Sequence, residues 1–160
     1  MKNFERNPSE FKDLKGIEYF KFEEDFIEEN VRCIPMIVRF KMDEVGIKLK
    51  LAAWSKFPAG DRLTLAMLPL TSAQQKKEYR DFLIELIAKY TRNKADELAI
   101  DQFPAWRNIH QVPLMLVEKS AEFDLNISIS QWIRLEELQR FALLKLCRPG
   151  HENKNFYKAA

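Results

Sequence analysis

The amino-acid sequence predicts an all-α protein built from two pseudo-repeated helical units in one domain, and three observations carry that reading. Shifting the chain by 78 residues lays Trp54 on Trp132 and aligns 34–70 with 112–148 without a gap. Seven of the 37 pairs are then identical, namely Pro35/Pro113, Lys41/Lys119, Glu44/Glu122, Trp54/Trp132, Arg62/Arg140, Leu65/Leu143 and Leu68/Leu146, against roughly two expected from ordinary residue usage. Ten more pairs exchange one large apolar residue for another, such as Leu49/Ile127 and Leu63/Phe141. Internal similarity at a fixed spacing constrains the architecture before any single element is assigned. Second, only four glycines occur, Gly16, Gly46, Gly60 and Gly150, too few for an all-β chain full of tight turns. Third, Tyr79, Phe82, Leu83, Leu86, Ile87 and Tyr90 fall at helical spacing and make one apolar stripe.

Taken in chain order, residues 1–21 are polar without a steady period and read as a loosely ordered lead-in; 22–160 forms the helical domain, with units over about 34–92 and 112–160. Pro35 suits the first position of a helix, where a missing N–H costs nothing. That helix runs to about Val45, and Gly46 takes the place of a terminating glycine. Pro113 opens the matching helix of the second unit. Next, Ile47, Leu49 and Leu51 alternate with polar residues, as do Leu125, Ile127 and Ile129. Period two is a strand signal. The two runs either pair as a small two-stranded ribbon, about 47–51 with 125–129, or serve as extended entries into the helices that follow.

The tryptophan helices come next. Pro58 divides the first of them, and a new helix runs from it until Pro69 stops it. In the second unit Glu136 replaces that proline, so Gln131–Leu146 is expected as one longer helix with Ser130 as its N-cap, ended by Cys147-Arg148-Pro149-Gly150. The striped helix covers Ser72–Tyr90 with Thr71 as cap; its counterpart would begin at Gly150 and keeps the pair Tyr79/Tyr157. The linker between the units contains Phe103-Pro104, which breaks any helix through it.

Several function classes lose support at this point. Twenty-six bases against twenty-four acids give a net charge of +2, no footprint for nucleic acid or an anionic membrane. No apolar run reaches the roughly 20 residues of a membrane span, and the N-terminus has no apolar signal core. Two cysteines, Cys33 and Cys147, form no disulfide framework, and a reduced cytoplasm is the expected setting. Cys33, His110, Cys147 and His151 are the soft ligands available, but no paired metal spacing occurs. A modest point for a site is that His110 adjoins Gln111, the repeat counterpart of Cys33. The segments after the first helices lack the alternating oxygen ligands of a calcium loop, and no Gly-rich phosphate loop is present. No metal or cofactor is expected.

Cys33 lies beside Arg32 and just before the Pro35 helix, two influences that lower a thiol pKa. Its neighbours Ile34, Met36 and Ile37 are apolar, which favours a packed side chain. The acidic runs Glu23-Glu24-Asp25 and Glu28-Glu29 read as solvated helix starts rather than paired acid–base groups. Trp54 and Trp132, at matched positions, read as twin core anchors. Lys48, Lys50 and Lys56 beside Trp54 make a basic patch suited to an acidic partner.

The stretches FKFEEDF, RCIPMIVRFKMDEVGIKLKLAAW, LQRFALLKL and HENKNF resemble the nitrate reductase-associated protein family, over about Phe22 to Phe156. The resemblance implies a small bacterial cytoplasmic protein, associated with assimilatory nitrate reductase or its molybdenum-cofactor machinery, with no established catalytic residues. Of the positions carrying it, Cys33, Pro35, Gly46 and Trp54, with Pro113 and Trp132, have structural explanations. Arg32, Arg39, Lys41 and Lys48, joined by Lys50, need no burial and are the candidate partner contacts. The expected function is a non-catalytic accessory or maturation factor. The alternatives are a small-molecule or metal sensor using the cleft between the units, and a thiol enzyme using Cys33.

Overall fold

The computed structural model describes residues 33–148. The expected lead-in, Arg32, the two acidic runs, the end of the family motif and His151 lie outside them. Seven α-helices and one two-stranded sheet occur among the described residues. They are α1 (Met36–Val45), α2 (Leu51–Lys56), α3 (Ala59–Met67), α4 (Ala73–Thr91), α5 (Leu114–Ala121), α6 (Ile129–Arg134) and α7 (Glu137–Leu146). The strands are β1 (Ile47–Lys48) and β2 (Asp96–Glu97), and Ala105–Arg107 forms a 3-10 turn.

Prolines set the starts. Pro35, Pro58 and Pro113 each sit at the N-cap with ψ near the extended value, one residue before the helix rather than inside it. The striped helix is capped by Ser72, whose side chain accepts from the Gln75 N–H, while Thr71 donates twice to the Gln75 side chain. The expected long helix Gln131–Leu146 is two helices. Ser128, not Ser130, caps α6 in a capping box with Gln131. Glu136 then caps α7 in a second box with Gln139, and Leu135 between them is extended. The Glu136 N–H donates to the Gln139 side chain at 2.8 Å, and the break falls at the position aligned with Pro58 of the first unit.

The ribbon exists, but its partner strand was misplaced. β1 pairs antiparallel with β2, Ile47 opposite Glu97 and Lys48 opposite Asp96, and 125–129 takes no part. Gly46, left-handed at φ 70°, turns the chain after α1, so that its carbonyl accepts from Leu98 N–H at 2.8 Å. At the aligned position Asp124 also adopts a left-handed φ of 56°, yet Leu125 N–H bonds back to Ser120 O at 2.9 Å. The capping box then draws Ile129 into α6. The second run is thus an extended helix entry.

Helix starts 36 and 114, 51 and 129, and 59 and 137 keep the spacing of the sequence alignment. One contact keeps it too: Arg62 Nη1 donates to Phe57 O, and Arg140 Nη1 to Leu135 O. Other features do not follow the spacing, since α4 has no counterpart among the described residues and the ribbon pairs the first unit with the linker.

The core joins both halves. α1 packs against α3, α4 and α7, and Trp54 and Trp132 are both fully buried. Trp132 Nε1 donates to Asn108 O at 2.8 Å. Phe141 receives Phe40 and Trp106 edge-on at centroid distances of 5.3 and 4.9 Å, an arrangement favoured by the ring quadrupoles. Tyr79, fully buried, donates its hydroxyl to Leu65 O at 2.8 Å. Burial of the phenol raises its pKa.

Candidate interaction surface

The candidate contact residues separate once burial is considered. Lys48 and Lys50 are exposed at the ribbon, and Lys50 forms an ion pair with Asp96 at 3.4 Å, with both side chains more than half in water. Such a pair is weak and is readily exchanged for a partner's charge. Arg39 is half-buried and donates Nε to Ile34 O at 2.9 Å.

Lys41 corrects the expectation that it needs no burial. It is buried, and its Nζ donates to Ala66 O at 2.8 Å and Leu68 O at 2.5 Å. These carbonyls belong to the end of α3, stopped by Pro69, where helix carbonyls lose their usual N–H donors. Lys41 is therefore a cap delivered from another helix, and Tyr79 serves Leu65 O at the same end.

Four side chains from different elements form a chain of alternating charge that the sequence did not reveal. Lys76 of α4 donates to Glu44 Oε2 of α1 at 3.2 Å, Arg107 of the 3-10 turn donates to Glu44 Oε1, and Arg107 Nε reaches Glu137 at the start of α7. Only a tenth of the Glu44 side chain is exposed. Burial works against the Arg107 charge, but Glu137 and Glu44 outweigh it and hold the guanidinium above its ordinary pKa. Asp43 and Lys145 pair α1 directly with α7 at 3.1 Å. Sequence separations of 32 and 63 residues hide these partners from any periodicity argument.

Beside this chain lies a cavity of about 280 Å³, lined by Asp43, Glu44, Lys76, Ile100 and Trp106 among others. The linker segment forming its wall is anchored through Arg80, which donates to Val45 O and to the Glu97 carboxylate, both at 2.7 Å. The same linker exposes Leu98, Ile100, Phe103 and Ile109, and Phe103 is 92% exposed.

Neither cysteine is in a disulfide. Burial pushes the Cys147 thiol up to about 11, with Lys119 acting in the opposite sense, which opposes thiolate formation near neutrality. Cys33 is half-buried. Among the described residues no group of three His, Cys, Asp or Glu side chains is placed to hold a metal ion. No helix among them is long and apolar enough to cross a membrane.

No curated protein and no solved structure matches the chain. A family model does: that of the conserved nitrate reductase-associated protein, over residues 19–160. Its match spans both helical halves, the ribbon and the linker between them, and the chain therefore belongs to the nitrate reductase-associated protein family.

Proposed function

We propose that the protein is a non-catalytic cytoplasmic accessory or maturation factor that binds and supports assimilatory nitrate reductase or the loading of its molybdenum cofactor. The observation that carries this reading is the family match over nearly the whole chain. The exposed lysines Lys48 and Lys50 provide a basic contact edge, and Lys41, engaged inside the fold, is set aside from it. Binding to the folded reductase stabilises it by mass action, so the benefit depends on concentration and affinity.

Deleting the gene in its host tests the reading directly. Lost nitrate reductase activity with the reductase still present supports maturation, and reduced cofactor content would place the step at loading. Normal activity refutes the role. Replacing Lys48 and Lys50 together by Glu is expected to weaken association while the protein remains folded. Cys33→Ala is expected to leave the supporting activity intact; loss of that activity without loss of stability would favour a thiol enzyme.

The cavity beside Glu44 and Arg107 favours a second reading, a sensor of a small polar ligand. A stoichiometric small molecule released from the purified protein would support it.

A further inference from the structure

We infer that Phe103 is the aromatic anchor of a protein–protein contact, inserted into an apolar pocket of the partner whose rim carries a basic residue facing Asp101. The inference rests on the accessory-factor reading and names the element that makes the contact.

The backbone around Phe103 is held on both sides. Upstream, β2 is paired with β1, Leu98 N–H bonds to Gly46 O at 2.8 Å, and Arg80 binds Glu97. Downstream, Arg140 Nε donates to Trp106 O at 2.6 Å, Trp106 stacks edge-on to Phe141, and Trp132 donates to Asn108 O. Arg107 is tied to Glu44 and Glu137. In between, the Phe103 N–H donates to Asp101 Oδ1 at 2.9 Å, and Pro104 is buried.

That turn explains the backbone at 103 and leaves the side chain unexplained. Any residue but proline supplies the N–H, and a polar one would do so without holding a phenyl ring in water. Instead the ring is 92% exposed, with Ile100 and Leu98 also exposed on the same segment. A rigid backbone presenting a free aromatic ring loses little conformational freedom on binding, which is the property of an interface anchor.

Charge selects the partner. The segment 95–103 carries Asp96, Glu97 and Asp101 and no base. Asp96 and Glu97 are neutralised by Lys50 and Arg80; Asp101 has no ion pair among the described residues, and it stands two positions from the ring. A basic rim complements it.

The test measures affinity of the full-length protein for the nitrate reductase of the same host. Phe103→Ala is expected to weaken binding at least tenfold, about 1.4 kcal/mol, with an unchanged melting temperature because the ring makes no core contact. Asp101→Asn keeps the turn acceptor and is expected to weaken binding about two- to fivefold, with a smaller salt dependence. Wild-type-like binding by Phe103→Ala overturns the anchor while leaving the accessory role in place. Absence of binding by the wild-type protein overturns both. Conversion of a dimer to a monomer by Phe103→Ala, with reductase affinity retained, assigns the ring to a second copy and overturns the inference.

Discussion

Lys41→Met should destabilise the protein without touching any surface. In the native fold the Lys41 ammonium donates to Ala66 O and Leu68 O, at a helix end where Pro69 follows and no backbone N–H is available to Leu65 O. Met keeps most of the apolar stem but leaves both carbonyls without this donor. Hydrogen bonds to a charged donor contribute about 1.5–3 kcal/mol each. Relief of the buried ammonium's desolvation offsets part of the sum. The expected net loss is about 2–4 kcal/mol, a fall of roughly 5–15 °C in melting temperature for a chain of this size. Tyr79→Phe, which removes the donor to Leu65 O, should cost about 1 kcal/mol. Because both serve one helix end, the double variant should deviate from additivity by at least about 0.5 kcal/mol. Urea unfolding followed by circular dichroism reads all three. A Lys41→Met loss under about 0.5 kcal/mol, or a Lys41→Glu variant as stable as wild type, would refute the capping argument.

Two further predictions concern the same half. Gly46→Ala should cost about 2 kcal/mol or more, since the left-handed φ of 70° strains an L-residue and the added Cβ would lie 2.8 Å from Leu98 O; a loss below about 0.5 kcal/mol would contradict it. Cys147 should make stability fall with rising alkalinity. Its folded pKa is raised from 9.0 to about 11, so its contribution is complete below pH 9, where the unfolded thiol is also neutral, and is lost as pH climbs toward 11. Tyr79, with its own pKa raised, adds a similar loss at the upper end. The slope specific to Cys147 is the part that Cys147→Ala removes, and an identical pH profile in that variant would contradict the assignment.

Local signals in the sequence located most helices because they act within a few residues. Pro35, Pro58 and Pro113 mark helix starts, Gly46 marks an end, and the stripe from Tyr79 to Tyr90 marks a buried face. What was misread depended on competition between distant partners. Ile47 pairs with Glu97 rather than with the similar run 125–129, because the Gly46 turn and Arg80 present a partner that no alternation pattern announces. Lys41 and Lys119 are identical in the alignment, yet Lys41 caps α3 while Lys119 pairs with Glu122 at 2.6 Å. A lysine's long apolar stem permits either role, and which one it takes depends on whether a helix end lies within reach. The aromatic anchor was hidden for a related reason: Phe103 looks like a core residue by type, and only burial separates it from Phe141.

The charge chain bears on whether the two halves unfold together. α1 packs against α4 on one side and α7 on another, while Glu44 joins Lys76 and Arg107, and Arg107 continues to Glu137. Opening the second half together with the linker turn that carries Arg107 would strip α1 of Phe141 and Lys145 and leave the largely buried Glu44 carboxylate with Lys76 alone. A buried carboxylate that loses its strongest partner is costly, so separation of the halves should lie close to complete unfolding in free energy. Native-state hydrogen exchange should therefore give α3 and α7 similar opening energies, within about 1 kcal/mol. Glu44→Gln should lower both together, because the amide retains one acceptor oxygen for two cations. If α7 exchanged by a much cheaper opening that Glu44→Gln did not move, the linker would be a tether between independent units, and the single cooperative domain inferred from the alignment would be wrong.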